Sequence, residues 1–342
     1  MKIVCFLPNY IGDVLMTTPA IRVLKNKLRN FEFYVAIKKE LFELVDGNPN
    51  VDKIIFKDSR VNLIKNVAKT KPYCIVLFRT TFFNSLISFL LKPKFSVGTN
   101  EEFSKLFLKK TINKNLDISY RELVMKIAEK VLDYFSLNKN DIFLEIKKLD
   151  FCGYETEDVK KNVINKLKER GLVNSKLIVL SPCATRKTKM LTENQYVELI
   201  NGILKNLPEG YVIVLTGSQK DEFFIGKIAI KINDKRLRNF CGIFNLKELA
   251  YFFKISSLVI SPDSGPAYIS EAVGTKTIIF FTSTSPYKYG PYPDNVEVLY
   301  NSINCSPCYK ETCSNFLCIK EFDIEKLVEK IFFILKNEKN SD

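Results

Sequence analysis

Short apolar runs, polar turns and longer stretches of mixed character alternate along the whole chain. Residues 2–7, 31–37, 53–56 and 74–78 have the length and apolar density of strands buried on both faces. Between and after them, residues 14–27, 40–46, 60–70 and 82–91 place apolar side chains at helical spacing, and 95–98 reads as a further short strand. The alternation predicts a parallel sheet with helices on both faces. A polar, basic stretch over 99–115 reads as a mobile binding loop with a short helix, 119–135 as a long helix, 144–147 as a short strand and 155–170 as a charged helix. A second alternation starts at 176–180 and runs through the helix 192–204, the strand 211–215, a helix starting at Asp221 and Glu222, a short strand and turn over 239–242, the helix 246–253, the strand 258–260, the helix 267–273 and the strand 277–281. The expected fold is therefore α/β. It has two doubly wound parallel-sheet domains facing a central cleft, over residues 1–155 and 156–322, with a final amphipathic helix within 323–342.

Two turns in this pattern carry candidate chemistry. Leu258, Val259 and Ile260 lead into Asp263-Ser264-Gly265-Pro266, which opens a helix ending at Gly274. A strand passing through a glycine turn into a helix points backbone N–H groups outward, where the helix dipole favours a phosphate or diphosphate. An ordinary strand–helix turn has the same outline. The first strand likewise runs through Pro8-Asn9-Tyr10-Ile11-Gly12 to Asp13, at the start of the next helix. In an open α/β sheet that edge receives ligands, and a helix N-terminus keeps a carboxylate ionised; the same residue can also serve only to cap its helix. Arg79 follows another strand and is placed to meet an acidic group or a neighbouring carboxylate.

Composition narrows the chemistry. The chain of 342 residues contains no histidine, which excludes Ser-His-Asp and Cys-His catalysis and histidine metal sites. A general base must then be a carboxylate or, failing that, Lys, Tyr or Cys. Lysine and arginine outnumber acidic residues 52 to 38, a net charge of +14, so an anionic partner is expected. No arginine-rich arm or aromatic RNA-binding signature points to nucleic acid. No G-x-G-x-x-G follows a strand, and Gly274-Thr275-Lys276-Thr277 lacks a P-loop ending. No apolar run reaches the ~18 residues that span a bilayer, and nine cysteines suit a reducing compartment, so a cytoplasmic protein is expected.

Three segments together resemble a known family. They are Tyr10-Ile11-Gly12-Asp13-Val14-Leu15 with Thr17-Thr18-Pro19-Ala20, then Ala184-Thr185-Arg186-Lys187-Thr188-Lys189, then Asp263-Ser264-Gly265-Pro266. Their order and separations are similar to those of the lipopolysaccharide heptosyltransferases, ADP-heptose-dependent inverting glycosyltransferases of GT-B fold (glycosyltransferase family 9). Asn48-Pro49-Asn50-Val51-Asp52 and Tyr289-Gly290-Pro291-Tyr292 also resemble family segments. The resemblance implies an acceptor-binding first domain, a nucleotide-sugar-binding second domain and a terminal helix crossing back to the first. By residue, it makes Asp13 the general base, has Thr185 and Lys189 contact the donor's phosphates and sugar, and has Asp263, Ser264, Gly265 and Pro266 cradle the diphosphate. Glu222, or Asp221, would bind the ribose hydroxyls. Tyr268 stands where many members have histidine, Thr282-Ser283-Thr284-Ser285-Pro286 replaces Gly-Pro-Thr-Asp-Pro, and Met190-Leu191 replaces a basic or aromatic residue and a tryptophan. These departures bear on the identity of the sugar.

Inverting transfer needs one base and stabilisation of the departing diphosphate. Asp13 can be the base, while Lys189, Arg186 and the Ser264–Pro266 helix start supply positive charge. No Asp-x-Asp pair is present, and no metal or cofactor beyond the co-substrate ADP-heptose is expected. The expected acceptor is an anionic lipopolysaccharide core met peripherally at the inner membrane face. A GT-B transferase with another nucleotide-sugar, or a non-catalytic basic nucleotide- or nucleic-acid-binding protein, is the alternative. Cys305, Cys308, Cys313 and Cys318 form C-x2-C-x4-C-x4-C, a candidate zinc or iron–sulfur cluster; free thiols or a disulfide are the other readings.

Overall fold

The computed structural model describes residues 1–101, 103–114 and 117–338. The chain changes unit after Gly153: Met1–Gly153 and Tyr287–Tyr292 form one unit, and Tyr154–Pro286 with the chain from Pro293 forms the other.

The first unit contains β1 (Lys2–Phe6), α1 (Ile11–Lys27), β2 (Glu32–Ile37), β3 (Lys53–Phe56), α2 (Arg60–Thr70), β4 (Cys74–Leu77), α3 (Phe82–Leu91), β5 (Phe95–Thr99), β6 (Lys110–Ile112) and α4 (Tyr120–Tyr134). Its strands are ordered β3-β2-β1-β4-β5-β6 and pair in parallel. Val4, Phe6, Tyr34, Ala36, Ile75 and Leu77 pack in its core. The Thr17-Thr18-Pro19 segment lies inside α1, where the proline removes the N–H that would bond Leu15 O. Thr18 Oγ1 donates to that carbonyl at 2.7 Å and also accepts from Asp150 N at 2.8 Å. The hydroxyl thus repairs the helix and ties down the end of the unit.

Two expectations change here. Residues 142–147 form a 3-10 turn and not a strand: Ile142 and Ile146 are buried while Leu144 between them is 77% exposed, a pattern that period-two alternation cannot give. The basic stretch 99–115 contains β6, which extends the sheet beside β5; Glu102 and Asn115 of that stretch lie outside the described residues.

The second unit contains α5 (Glu157–Lys168), β7 (Lys176–Leu180), α6 (Glu193–Lys205), β8 (Tyr211–Leu215), α7 (Glu222–Ile230), β9 (Leu237–Asn239), α8 (Leu246–Lys254), β10 (Leu258–Pro262), α9 (Gly265–Ala272), β11 (Thr277–Phe281), α10 (Pro286–Tyr289, running into the returning segment), β12 (Val296–Tyr300), α11 (Leu317–Lys320) and α12 (Ile324–Glu338). Its strands are ordered β12-β11-β10-β7-β8-β9, all parallel. Counted from its own first strand, this is the order of the first unit repeated.

The terminal helix α12 places Leu327, Ile331 and Leu335 in the second unit's core with Tyr196, Leu199 and Ile203. A Cβ on Gly202 would come within 3.0 Å of Val328 Cγ2, so the glycine permits the close approach of α6 and α12. The described packing of α12 is on α6. The segment grouped with the first unit is Tyr287–Tyr292. There the buried Arg121 of α4 donates through Nε to Tyr289 O at 2.6 Å and stacks 5.1 Å from the Tyr292 ring.

Candidate active site

Each sheet has one place where neighbouring strands feed helices in opposite directions, and ligands of such folds bind at the carboxyl ends there. In the first unit that place lies between β1 and β4, and in the second between β7 and β10. The sequence-predicted residues gather at these two edges.

At the first edge, Asp13 occupies the first turn of α1 and is half-buried. The residue at the N-cap is Tyr10, whose side chain makes no capping bond. The α4 phenol of Tyr120 is held far above its ordinary pKa, by burial first and by the Asp13 charge next, so it keeps its proton. Nothing in the spacing of residues 13 and 120 signals that proximity. Arg79 lies beyond β4, with its N–H bonded to Phe6 O at 3.3 Å, and its charge also reaches Tyr120. A Cβ on Gly98 would meet Thr80 Oγ1 at 2.5 Å, and that hydroxyl accepts from Thr99 N at 2.8 Å. The bare Gly98 therefore lets the turn carrying Arg79 and Thr80 lie against β5.

At the second edge, Asp263 turns inward. Its side chain is 3% exposed and accepts from Lys189 Nζ at 2.6 Å and Thr284 Oγ1 at 2.8 Å on one oxygen, and from Tyr268 Oη at 2.7 Å on the other. Lys189 also donates to Asp263 O at 3.1 Å. The carboxylate thus anchors the turn and binds Lys189 across the β7–β10 boundary. Removing one member of so buried a pair typically costs about 3–5 kcal/mol. Ser264, Gly265 and Pro266 remain half-buried at the N-terminus of α9, and Ser264 Oγ lies 3.0 Å from Ser261 Oγ. Tyr268 and Thr284, at two of the positions that depart from the family pattern, both donate to Asp263, and nothing local in the sequence signals that role for Thr284.

Thr185 is exposed on the loop after β7. Arg186 on the same loop donates to Tyr309 O at 3.0 Å, and Thr188 Oγ1 donates to Lys310 O at 2.7 Å. The cysteine-bearing segment is thereby stapled to the loop that presents Lys189. Of the two acidic candidates at α7, Asp221 accepts from Ser218 N at 2.8 Å and Ser218 Oγ at 2.6 Å, a helix-capping role. Glu222 is exposed and accepts from Gln219.

All nine cysteines are free thiols. Cys313 Sγ accepts from Phe316 N at 3.3 Å, and backbone N–H groups hold its thiol below the ordinary value. Burial, then the other three thiols of the motif, push Cys318 up to about 11. Among the described residues no group of three or more Cys, Asp or Glu side chains is arranged to hold a metal ion, and no helix is long and apolar enough to cross a membrane.

A family model described as glycosyltransferase family 9 (heptosyltransferase) matches residues 60–318. The chain belongs to glycosyltransferase family 9. The match takes in Lys189, Glu222 and the Asp263 turn and begins after Asp13. Lipooligosaccharide heptosyltransferase 2 of Campylobacter jejuni (serotype O:2) is 25% identical over 353 residues, covering 98% of this chain and 99% of that protein. The fold matches a family 9 glycosyl transferase from Veillonella parvula at TM-score 0.80 and 19% identity, covering 98% of this chain and 97% of that one. It also matches the Escherichia coli ADP-heptose lipopolysaccharide heptosyltransferase II at TM-score 0.79 and 17% identity, covering 99% and 100%. This family 9 protein is thus a glycosyltransferase built from the two Rossmann-like units of the GT-B fold.

Proposed function

We propose that this family 9 protein transfers heptose from ADP-heptose to the inner core of lipopolysaccharide, with inversion at the anomeric carbon. The acceptor hydroxyl oxygen attacks the anomeric carbon, the bond from that carbon to the β-phosphate oxygen breaks, and ADP departs. Asp13 accepts the hydroxyl proton. The first unit holds the acceptor, and the second holds the donor through Thr185, Lys189, Glu222 and the Ser264–Pro266 helix start. A diphosphate leaves readily once its charge is met, so Lys189 and the α9 N–H groups suffice without a general acid.

The observation that carries this reading is the Lys189–Asp263 pair at the β7–β10 boundary, beside a helix N-terminus. It fixes a cation and backbone donors where an α/β sheet takes a diphosphate. The names of the relatives support heptose and a lipopolysaccharide acceptor. The net charge of +14 supports an anionic acceptor met peripherally at the inner membrane face.

A panel of nucleotide-sugars assayed for thermal stabilisation and for ADP release tests the reading. ADP-heptose should stabilise the protein most and be the donor consumed, since a ligand that binds the native state shifts unfolding by mass action. Preference for another nucleotide-sugar would replace the donor and keep the fold-level mechanism.

A further inference from the structure

Helix α3 of the first unit wears its apolar side outward. Its four buried residues are Asn84, Ser85, Ile87 and Ser88, three of them polar. Asn84 Nδ2 donates to Arg79 O at 3.0 Å and Ser85 Oγ to Thr81 O at 2.9 Å, while Ser88 Oγ is buried without a partner among the described residues. At about 100° per residue, Phe82, Leu86, Phe89 and Leu90 share the opposite arc of the helix. Phe82, Phe89 and Leu90 are 48%, 51% and 56% exposed. A surface helix ordinarily does the reverse and turns its apolar stripe to the core. The loop after β5 enlarges the apolar face. The Phe107 ring meets those of Phe82 and Phe89 edge-on at 5.5 and 5.6 Å, which brings in Phe103 and Leu106, 77% and 72% exposed. Exposed apolar side chains gathered in this way mark an interaction site. Cations border the face. Lys92, Lys94 and Lys105 are exposed, and the carboxylate described between residues 82 and 110, Glu101, is paired with Lys114 at 2.8 Å. At the C-terminal end of α3, Leu91, Lys92 and Lys94 join Lys2, Lys71 and Tyr73 around a surface cavity of about 570 Å³ that has no carboxylate in its lining.

We propose that this face of the first unit docks on an anionic lipid bilayer, with Phe89, Leu90, Phe103 and Leu106 entering the interface and the lysines meeting lipid phosphates. Side chains standing out from a helix and a loop can dip into the headgroup boundary, while lysine stems let their ammonium groups reach back to the phosphate level. Each lysine held near such a surface adds an attraction that salt screens. The cavity at the end of α3 receives the phosphate headgroup of one lipid among its four ammonium groups. A second copy of this chain suits the face less well, because a two-fold contact would set the same lysines against one another. No helix among the described residues is long and apolar enough to cross a membrane, so their hold on a bilayer falls to a surface of this kind. This deepens the reading above by naming the surface that meets the membrane, and rests on that reading only for the acceptor the membrane carries.

The test is co-sedimentation of the full chain with vesicles of phosphatidylethanolamine and phosphatidylglycerol, and with vesicles of phosphatidylcholine alone. The protein should partition onto the anionic vesicles, less so as salt rises, and only weakly onto the neutral ones. Leu90→Ser, Phe103→Ser and Leu106→Ser combined should lower that partition about tenfold or more. Thermal unfolding and ADP-heptose affinity should stay as they were, because the three side chains are exposed and lie in the first unit. Lys92→Gln with Lys94→Gln should weaken binding to the anionic vesicles and flatten its salt dependence; this pair and Leu106→Ser alone carry the test if the triple variant fails to fold. Undiminished binding in these variants, equal binding to both kinds of vesicle, or no binding to either overturns the proposal. In the last case, a dimer in sedimentation equilibrium that Leu106→Ser dissociates would give the face to a second copy. If the anionic vesicles bind and the variants lose them while ADP-heptose neither binds nor reacts, the docking surface stands and heptosyl transfer falls.

Discussion

The two sheets share one strand order and one kind of ligand edge, yet they handle charge at that edge in opposite ways. In the second unit a lysine and an aspartate neutralise each other, with Asp263 3% exposed and filled by Lys189, Tyr268 and Thr284. In the first unit Lys38, Lys57 and Arg79 stand together without a carboxylate partner among the described residues, and Asp13 lies nearby. The neutralised edge is built for rigidity, because a satisfied buried network fixes the loop that carries it. At the other edge the charges of Lys38 and Arg79 act on Lys57 instead and hold its ammonium below the ordinary lysine value. The same topology thus carries a paired charge on one sheet and cations without a carboxylate partner among the described residues on the other.

The sharpest way to break this contrast is through Asp13. Asp13→Asn should lower kcat about a thousandfold, within the range typical for loss of a general base, while leaving ADP-heptose affinity unchanged. Single-turnover kinetics beside donor titration reads both, and a loss under tenfold would remove Asp13 as base. Next in size is Asp263→Ala, which should destabilise the protein by about 3 kcal/mol by taking the carboxylate away from the partly buried Lys189 ammonium. Urea unfolding followed by far-ultraviolet dichroism measures it. The same truncation of Asp13 should cost far less stability, since that residue is half-buried.

Lys57 tests the other side of the comparison. Its folded pKa of about 8 lies below the ordinary lysine value, so between the two the unfolded chain binds more protons than the folded one. Stability should therefore rise as pH climbs through that window, and Lys57→Met should flatten the rise. The smallest effect belongs to Tyr268→Phe, which removes one of three side-chain donors to Asp263. It should cost about 1 kcal/mol and a modest loss of donor affinity, measured by thermal unfolding with and without ADP-heptose.

Much of this protein is legible without coordinates. Residues 2–7 and 176–180 read as buried strands because a run of apolar side chains between polar turns has few other stable states. The Asp263-Ser264-Gly265-Pro266 turn reads as a helix start because proline and glycine constrain the backbone locally. The 3-10 turn at 142–147 is not legible in this way, because its short apolar run fits either structure and only the fold turns Leu144 to solvent. The return of Tyr287–Tyr292 to the first unit is not legible either, since it depends on Arg121, far away in the chain, donating to Tyr289 O.

What the sequence alone determined is the alternation of strands and helices, the positions of the two ligand-edge turns, the basic balance and a histidine-free chemistry. Those features are local or compositional, so neighbouring residues suffice to express them. Only the tertiary structure decided that Asp263 faces inward to Lys189, that Asp221 caps its helix, and that Lys38, Lys57 and Arg79 meet at one edge. Each of these joins side chains whose separation is set by strand order or by the fold of a turn, and hydrophobic periodicity carries no record of where a polar side chain points once its strand or turn has been placed.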